Sequence, residues 1–160
     1  MREHPVRRKD RAIGADECLG LLESGRYCVL ATTDDQEQPY AVPLSYVFWE
    51  GKIWFHCAHQ GHKIENLKDN PRCSLTVVGD NQPVYYKDFT TWYESVVVFG
   101  TAEEICNEAI KTEALLALAR KYLPEHMDKA PGSIAASLSR TAVYAVSIKK
   151  MTGKAKRRPA

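Results

Sequence analysis

Hydrophobic residues along the chain follow two spacings, and each spacing predicts a different kind of element. Over residues 15–24, apolar side chains recur three and four positions apart, which is typical of one face of a helix, and Gly25 ends the pattern. The strongest helical pattern covers residues 107–123, where Asn107 is a candidate N-cap. A short helix is also predicted over residues 61–70, before a proline. The chain therefore contains three predicted helices.

Apolar and β-branched stretches separated by turn residues predict six strands. They are RYCVLATT (26–33), PYAVPLSYVFW (39–49), KIWFHCA (52–58), RCSLTVVG (72–79), WYESVVVFGTAEEI (92–105) and AVYAVSIKKM (142–151). Short turns join the first three, which predicts an antiparallel meander. Pro43 cannot donate a ladder hydrogen bond, so it marks an edge or a bulge. Antiparallel strands with peripheral helices predict a small β-barrel, mainly β and of the α+β class.

The segment GDNQPVYYKDFTTWYES, residues 79–95, is predicted to be a long irregular loop between two strands. Loops of this length often border a functional site. We therefore expect it to influence substrate selectivity.

Length and composition predict one globular domain over residues 1–160. No apolar run is long enough for a membrane span, and the basic N-terminus lacks the apolar segment of a secretory signal. The net charge of +2 is concentrated near the ends, so residues 1–12 and 152–160 are expected to be solvated basic tails and no nucleic-acid role is indicated. The five scattered cysteines form no C-x-x-C pair, which argues against a disulfide framework and favours the cytoplasm.

The stretch FHCAHQGHK, residues 55–63, is the densest cluster of reactive side chains, and three interpretations compete. A metal site is disfavoured, because His56 and Cys57 are strand neighbours that leave opposite faces and no distant pair supplies further ligands. An ordinary polar loop is the second interpretation. The third is a phosphate site, because Gly61 and Lys63 fall where a strand ends and a helix begins, and a helix N-terminus offers unpaired N–H groups.

The order of these motifs resembles the flavin-binding split-barrel superfamily, most closely its nitroimidazole-resistance-like, pyridoxamine 5′-phosphate oxidase-related branch. The resemblance rests on RRKDR, YCVLATT, PYAVPLSYV, KIWFHCAHQGHKIENLKDNPR and YESVVVFGTAEE. It implies a six-stranded antiparallel split β-barrel with peripheral helices. It also implies a homodimer that holds FMN between its two subunits.

The resemblance assigns roles to particular positions of this chain. The residues that it places against the flavin are Val42, Pro43, Leu44, Ser45, His56, Cys57 and Ala58, with His62 and Lys63 at the phosphate and Ser95 reaching the FMN of the partner subunit. It implies no metal. His56 is the candidate for delivering a proton or orienting a substrate, or else it only hydrogen-bonds the cofactor.

Two departures from the vitamin B6 oxidases concern the phosphate groups. Those enzymes usually carry an arginine where this chain has His62, so Lys63 is expected to hold more of the cofactor phosphate. They also end in an arginine-rich motif that binds the substrate phosphate, and AVYAVSIKKMTGKAKRRPA does not reproduce it. Oxidation of pyridoxamine phosphate is therefore not expected.

The function that follows from the resemblance is an FMN-dependent oxidoreductase that reduces a small electron-poor compound such as a nitroaromatic. A flavin-binding or storage protein without turnover is the alternative, because no G-x-G-x-x-G nicotinamide fingerprint is present. A split barrel that binds haem, through His56, His59 or His62, or a deazaflavin is a third hypothesis. The sequence names neither the substrate nor the electron donor.

Overall fold

The computed structural model describes residues 4–159, which form eight strands and four α-helices. The strands are β1 (Ala12–Ile13), β2 (Cys28–Thr33), β3 (Pro39–Leu44), β4 (Val47–Trp49), β5 (Lys52–Cys57), β6 (Arg72–Tyr85), β7 (Phe89–Glu104) and β8 (Ala142–Lys156). The helices are α1 (Ala15–Ser24), α2 (His62–Asp69), α3 (Glu108–Tyr122) and α4 (Ala130–Ser137). The mainly β fold class and the first three helices are as predicted. The predicted count of six strands is too low, because the stretch 39–49 forms two strands and β1 was not predicted. No helix among the described residues is long and apolar enough to cross a membrane.

The strands form one antiparallel sheet in the order β3-β2-β6-β7-β8-β5-β4, with β1 paired to β8. Strands β3 and β4 lie at opposite ends of this order, yet only Ser45 and Tyr46 connect them. The three residue steps from Leu44 to Val47 span roughly 11 Å at most, so the two ends of the sheet must lie close together. The sheet is therefore rolled into a barrel that is split between β3 and β4.

The predicted meander is wrong at this split, because the stretch 39–49 forms two strands with different neighbours. Strand β3 pairs with β2, and β4 pairs with β5. Tyr46 holds the bend: it is fully buried, its hydroxyl donates to the Leu22 carbonyl at 2.6 Å, and its N–H donates to the Tyr122 hydroxyl at 2.9 Å. Pro43 lies on an edge strand, as predicted.

The prediction of an irregular loop over residues 79–95 is also wrong. Strands β6 and β7 remain paired from Asn81–Tyr93 out to Tyr85–Phe89, and a turn centred on Lys87, with φ of 60°, joins them. The register shifts at a bulge between Val78 and Asn81. Residues 79–95 thus form the outer part of a long hairpin, because β-branched and aromatic side chains pair across it despite its polar composition.

The barrel interior is the larger of two apolar cores. Buried side chains from α1, α2 and five strands fill it, among them Leu22, Leu30, Ile53, Phe55, Leu75, Val98 and Val146. Gly25 shows how closely α1 is packed there, because a Cβ at this position would lie 2.4 Å from Val77 Cγ1 and 2.5 Å from the Tyr46 hydroxyl. This glycine ends α1 through close contact and not through a left-handed backbone.

A second apolar core lies on the other side of β5, where α3 and α4 cover the sheet. Its buried residues include Trp54, Leu115, Leu118, Ile134 and Val143. Asn107 caps α3 as predicted, because its side-chain oxygen accepts a hydrogen bond from the Ile110 N–H at 3.1 Å. Helix α4 was not predicted, since proline, glycine and serine in APGSIAAS weaken a helical signal.

The predicted C-terminal tail, 152–160, is wrong for residues 152–156, which belong to β8 and pair with β7. Gly153 and Ala155 are buried between the lysines that made this segment resemble a tail. Gly153 cannot carry a side chain without displacing α1, because a Cβ there would lie 2.4 Å from the Cys18 sulfur. Ala12, at the end of the predicted N-terminal tail 1–12, belongs to β1, and residues 1–3 and 160 lie outside the described residues.

Candidate functional site

The N-terminus of α2 is open and carries no side-chain cap. Gly61, the residue before the helix, has φ of 131° and ψ of 163°, a backbone conformation that favours glycine. Its carbonyl accepts from the N–H groups of Ile64 and Glu65, at 2.8 and 3.1 Å. A Cβ at Gly61 would meet no atom within 4 Å. The N–H groups of His62 and Lys63 lie in the first turn of this uncapped helix, at its positive end, which is the arrangement that favours anion binding.

His62 connects this helix end to the edge strand β3. Its ring lies 4.0 Å from that of Tyr40, centroid to centroid, at an interplanar angle of 31°. Tyr40 was not among the predicted site residues, because no local pattern relates it to a residue 22 positions later. The contact positions His62 beside the strand that carries Val42 to Ser45.

Cys57 lies on the same side of β5 as the barrel core and close to Lys63. Burial raises the pKa of the Cys57 thiol, the nearby Lys63 ammonium lowers it in part, and Glu104 raises it further. The net shift is upward, so the residue remains a neutral thiol near pH 7. Cys57 is thus a small packing residue beside the cationic group, and not an activated nucleophile.

The loop between β5 and α2 is held from two directions by His59. One ring nitrogen, Nε2, lies 3.2 Å from the Ser139 carbonyl oxygen, and the other, Nδ1, lies 3.5 Å from a carboxylate oxygen of Glu104. The Tyr144 hydroxyl donates to the second Glu104 oxygen at 3.3 Å. These contacts fix the loop that carries Ala58, and the sequence pattern gave no indication of Glu104.

His56 lies on the opposite side of β5 from Cys57, as the alternation of a strand predicts. It lines a pocket of about 360 Å³ beneath α3 and α4, and Ser45 lines the same pocket. His56 is exposed at the mouth of this pocket, but the protein packed around its ring lowers its pKa through burial. The imidazole is therefore neutral near pH 7 and can both donate and accept a hydrogen bond.

The other predicted positions on β3 do not share one surface. Val42 and Leu44 pack against the barrel core, whereas Pro43 and Ser45 are exposed. Only the last two, together with backbone groups, are accessible to a ligand.

The structure does not bring Ser95 close to His56 within one protomer. On β8, Ser95 is paired with Lys154, whereas His56 is paired with Val143. At about 3.3 Å per residue this separation is roughly 35 Å along the strand. Ser95 therefore lies at the other end of the barrel.

Two further features were not anticipated from the sequence. A pocket of about 570 Å³ lies against β2, β6 and β7, with Phe99, Arg72 and Lys149 among its lining residues. Lys121 on α3 places its ammonium 3.8 Å from the centre of the Tyr46 ring, and its Nζ has no hydrogen-bond partner among residues 4–159. In the same described part of the chain, no three His, Cys, Asp or Glu side chains are grouped as metal ligands.

Comparison with known protein families assigns the chain to one family. The family model described as pyridoxamine 5′-phosphate oxidase matches residues 14–155, which include every element from α1 to the main part of β8. The chain therefore belongs to the pyridoxamine 5′-phosphate oxidase family. A search of curated protein sequences gave no significant match.

Several solved structures are similar over most of the chain. A candidate 5-nitroimidazole antibiotic resistance protein from Bacteroides thetaiotaomicron has a TM-score of 0.76 and 24% identity, covering 89% of this chain and 85% of that one. An FAD-binding protein from Mesorhizobium loti has a TM-score of 0.69 and 29% identity, with coverages of 92% and 98%. The flavocytochrome from Azotobacter vinelandii has a TM-score of 0.85 and 21% identity, with coverages of 98% and 74%. The split-barrel fold is thus shared among them.

Proposed function

We propose that the protein binds FMN and reduces small electron-poor molecules, such as nitroaromatics, as a cytoplasmic homodimer. The observation that carries the proposal is the open N-terminus of α2, with Gly61 before it and Lys63 in its first turn. Family membership supports a flavin as the ligand, and the names of the Mesorhizobium and Bacteroides proteins support flavin binding and a nitro substrate. Five free cysteines fit a reducing compartment.

The residues at α2 fit a phosphate monoester of the FMN type. The N–H groups of His62 and Lys63 would donate to phosphate oxygens, and the Lys63 ammonium would neutralise their charge. His62, held against Tyr40, would contribute a ring N–H. His62 stands where vitamin B6 oxidases usually carry an arginine, so Lys63 would be the principal cation of the proposed site.

The remaining ligand would extend from this helix end along the terminus of β5 and the edge of β3. Cys57, Ala58 and backbone groups near Pro43 would line it on the barrel side, and Ser45 and His56 would contact it from the helix side. When bound and reduced, FMN would supply the electrons for reduction of the substrate, and the protein would bind and orient both molecules. His56, neutral near pH 7, would orient the substrate through a hydrogen bond at a ring nitrogen, and it would give up a proton only after being protonated itself.

A second copy of the chain would complete the site. One barrel leaves Ser95 far from His56, so Ser95 would contact the flavin of the partner, as the family resemblance implies. The outer surface around Phe99, with Arg72 and Lys149, forms a concave face that a second barrel could cover. Sedimentation with and without FMN measures this directly: a protein that remains monomeric when loaded with flavin would contradict the dimer.

The binding proposal is tested with two lysine variants of the same helix. Purified protein reconstituted with FMN should show the flavin absorbance in the blue and quenched flavin fluorescence. Lys63→Ala should weaken FMN binding about ten-fold or more, since a charge-assisted contact to phosphate is lost. Lys68→Ala is the matched control, because Lys68 is exposed in the last turn of α2, at the end that does not attract anions.

Three results are informative in this experiment. No FMN uptake by the unmodified protein removes the proposal. Equal loss of affinity in Lys63→Ala and Lys68→Ala shows that general charge, and not the helix N-terminus, holds the ligand. Uptake of FAD at much higher affinity than FMN shows a different flavin nucleotide at the same place.

A flavin carrier without turnover is the second candidate, and the lack of a nicotinamide fingerprint in the sequence favours it. The two candidates differ in how fast bound flavin exchanges electrons. In stopped-flow experiments, rapid oxidation of the reduced flavoprotein by a nitroaromatic supports the reductase. Oxidation no faster than that of free reduced flavin supports the carrier.

A further inference from the structure

The pocket beneath α3 and α4, about 360 Å³ in volume, has a composition that restricts its ligand. Strand β5 and the β3–β4 connection form one wall, and the two helices form the other. Its lining residues are Ser45, His56, Leu115, Leu118, Ala119, Tyr122, Leu123, Ser133, Ile134, Ser137 and Thr141. Pockets of roughly 300 Å³ and above accept small-molecule ligands, and an apolar cavity of roughly 150 Å³ already accepts benzene.

None of the lining residues is an aspartate, glutamate, lysine or arginine. The deepest side chains, Leu115, Leu118 and Ile134, are buried aliphatic groups of the second apolar core. Moving a charged group against such a surface is strongly unfavourable unless a partner of opposite charge is present. The pocket therefore discriminates against ionised ligands of either sign, in contrast to the cationic end of α2.

Three polar side chains of the pocket remain available to a ligand. The hydroxyls of Ser137 and Thr141 already donate to backbone carbonyls, of Ser133 at 3.0 Å and of Ser137 at 2.8 Å. The Tyr122 hydroxyl is engaged by backbone groups of residues 26 and 46. The side chains of Ser45, His56 and Ser133, by contrast, make no hydrogen bond to any residue from 4 to 159.

We propose that this pocket binds the electron-poor substrate as a compact uncharged molecule, with an apolar body against Leu115, Leu118 and Ile134. Ser45, His56 and Ser133 hold its polar substituents. The role as a substrate pocket rests on the proposed function, whereas selective binding of an uncharged molecule does not. The location of the pocket agrees with a substrate role, since Ser45 and His56 also flank the predicted flavin site.

The test compares two probes that have nearly the same shape and differ in charge. 4-Nitrobenzamide is neutral at pH 7, and 4-nitrobenzoate is an anion. Isothermal titration of each probe into the flavin-free protein should show 4-nitrobenzamide binding at least about ten-fold more tightly. Equal affinities, tighter binding of 4-nitrobenzoate, or no binding of 4-nitrobenzamide would overturn the proposal.

Two variants connect the binding to this pocket. Ala119→Phe fills the space between α3 and β5 and should abolish binding of 4-nitrobenzamide, whereas Ala109→Phe places the same ring on an exposed position of α3 and should not. Ser133→Ala removes one hydrogen-bonding group and should weaken binding about three- to ten-fold. If Ala119→Phe does not fold, Ser133→Ala is the test of where 4-nitrobenzamide binds. Unchanged affinity in Ser133→Ala would contradict binding in this pocket.

A second titration separates this inference from the flavin proposal. The protein is saturated with FMN and titrated again with 4-nitrobenzamide. Unchanged or tighter binding supports a pocket beside the flavin, and competition shows that the flavin ring itself occupies the pocket, which would overturn the inference. If FMN does not bind at all while 4-nitrobenzamide still does, the proposed function fails and the uncharged pocket stands.

Discussion

Strand β5 separates two environments that differ in packing and in charge. On the barrel side, Phe55 is fully buried and stacked on Tyr144, and Cys57 continues this side toward the cationic Lys63. On the helix side, Trp54 is buried under α3, and His56 opens into an uncharged pocket. The barrel side of β5 is therefore tightly packed and lies next to the Lys63 ammonium. The helix side is less tightly packed and borders a pocket.

The difference follows from what covers each side. The barrel side is closed by a rolled sheet, in which backbone pairing fixes the distance between facing side chains. The helix side is closed by α3 and α4, whose separation from the sheet depends on residue size. Small residues such as Ala119 and Ser133 leave the space that becomes the pocket. The barrel side of β5 is therefore expected to be the more rigid wall of the site, and the side covered by α3 and α4 the more adaptable one.

The largest expected effect on stability comes from truncating one buried side chain on each side of β5. Phe55→Ala leaves a cavity inside the closed barrel and should lower the free energy of unfolding by about 3–5 kcal/mol. Ile134→Ala, on the helix side, opens onto an existing pocket and should cost less, about 2 kcal/mol. Urea denaturation followed by tryptophan fluorescence measures both. A larger loss in Ile134→Ala than in Phe55→Ala would show that the helix layer is the main source of stability.

Local patterns predicted the elements well and their connections less well. The helices α1, α2 and α3 and at least part of the strands β2, β5, β6, β7 and β8 were predicted, because each is encoded by spacing within a few residues. The break at Ser45 and Tyr46 was not, since it depends on the Tyr46 side chain reaching α1 and α3. Nor was the outer part of the β6–β7 hairpin, because its β-branched and aromatic residues pair across the strands within a segment whose polar composition is typical of a loop.

The same division holds for the candidate site. The uncapped helix end at Gly61 and Lys63 could be predicted, because a strand–glycine–helix order is local. The supporting contacts of Tyr40 and Glu104 could not, because both come from strands distant in sequence. The separation of His56 and Cys57 onto two sides was evident from strand alternation, but the pocket beside His56 required knowledge of α4, which the pattern did not indicate.

An intermediate effect is expected from two glycines whose Cβ would meet no atom within 4 Å. Gly61 has a φ of 131°, so Gly61→Ala should cost about 1–3 kcal/mol of stability and weaken FMN binding, since the first turn of α2 would shift. Gly132 lies in the first turn of α4 without a positive φ, so Gly132→Ala should stabilise the protein by about 0.4–1 kcal/mol, because alanine lowers the entropy of the unfolded chain. Thermal melts with FMN titrations distinguish them. Equal changes in melting temperature and FMN affinity in the two variants would contradict a strained backbone at Gly61.

The smallest effect concerns Lys121, which lies where the barrel core meets α3. Burial lowers its pKa from 10.5 to about 8, because the ammonium loses water and gains no hydrogen bond, and the Tyr46 ring offsets this cost only in part. The unfolded chain then binds more protons than the folded one between pH 8 and 10.5, so stability should rise with pH across this interval.

Replacing this lysine with an apolar residue of similar length should remove both the cost and the pH dependence. Lys121→Met is expected to stabilise the protein at pH 7 by on the order of 1 kcal/mol, since the half-buried amine is partly screened by solvent. Arg120→Met, an exposed neighbour on α3, is the control and should change little. Urea denaturation from pH 7 to 10 measures the comparison. If Lys121→Met is less stable than the unmodified protein and its stability still rises between pH 8 and 10.5, the prediction is wrong. The attraction between the Lys121 ammonium and the Tyr46 ring would then exceed the cost of burying the charge.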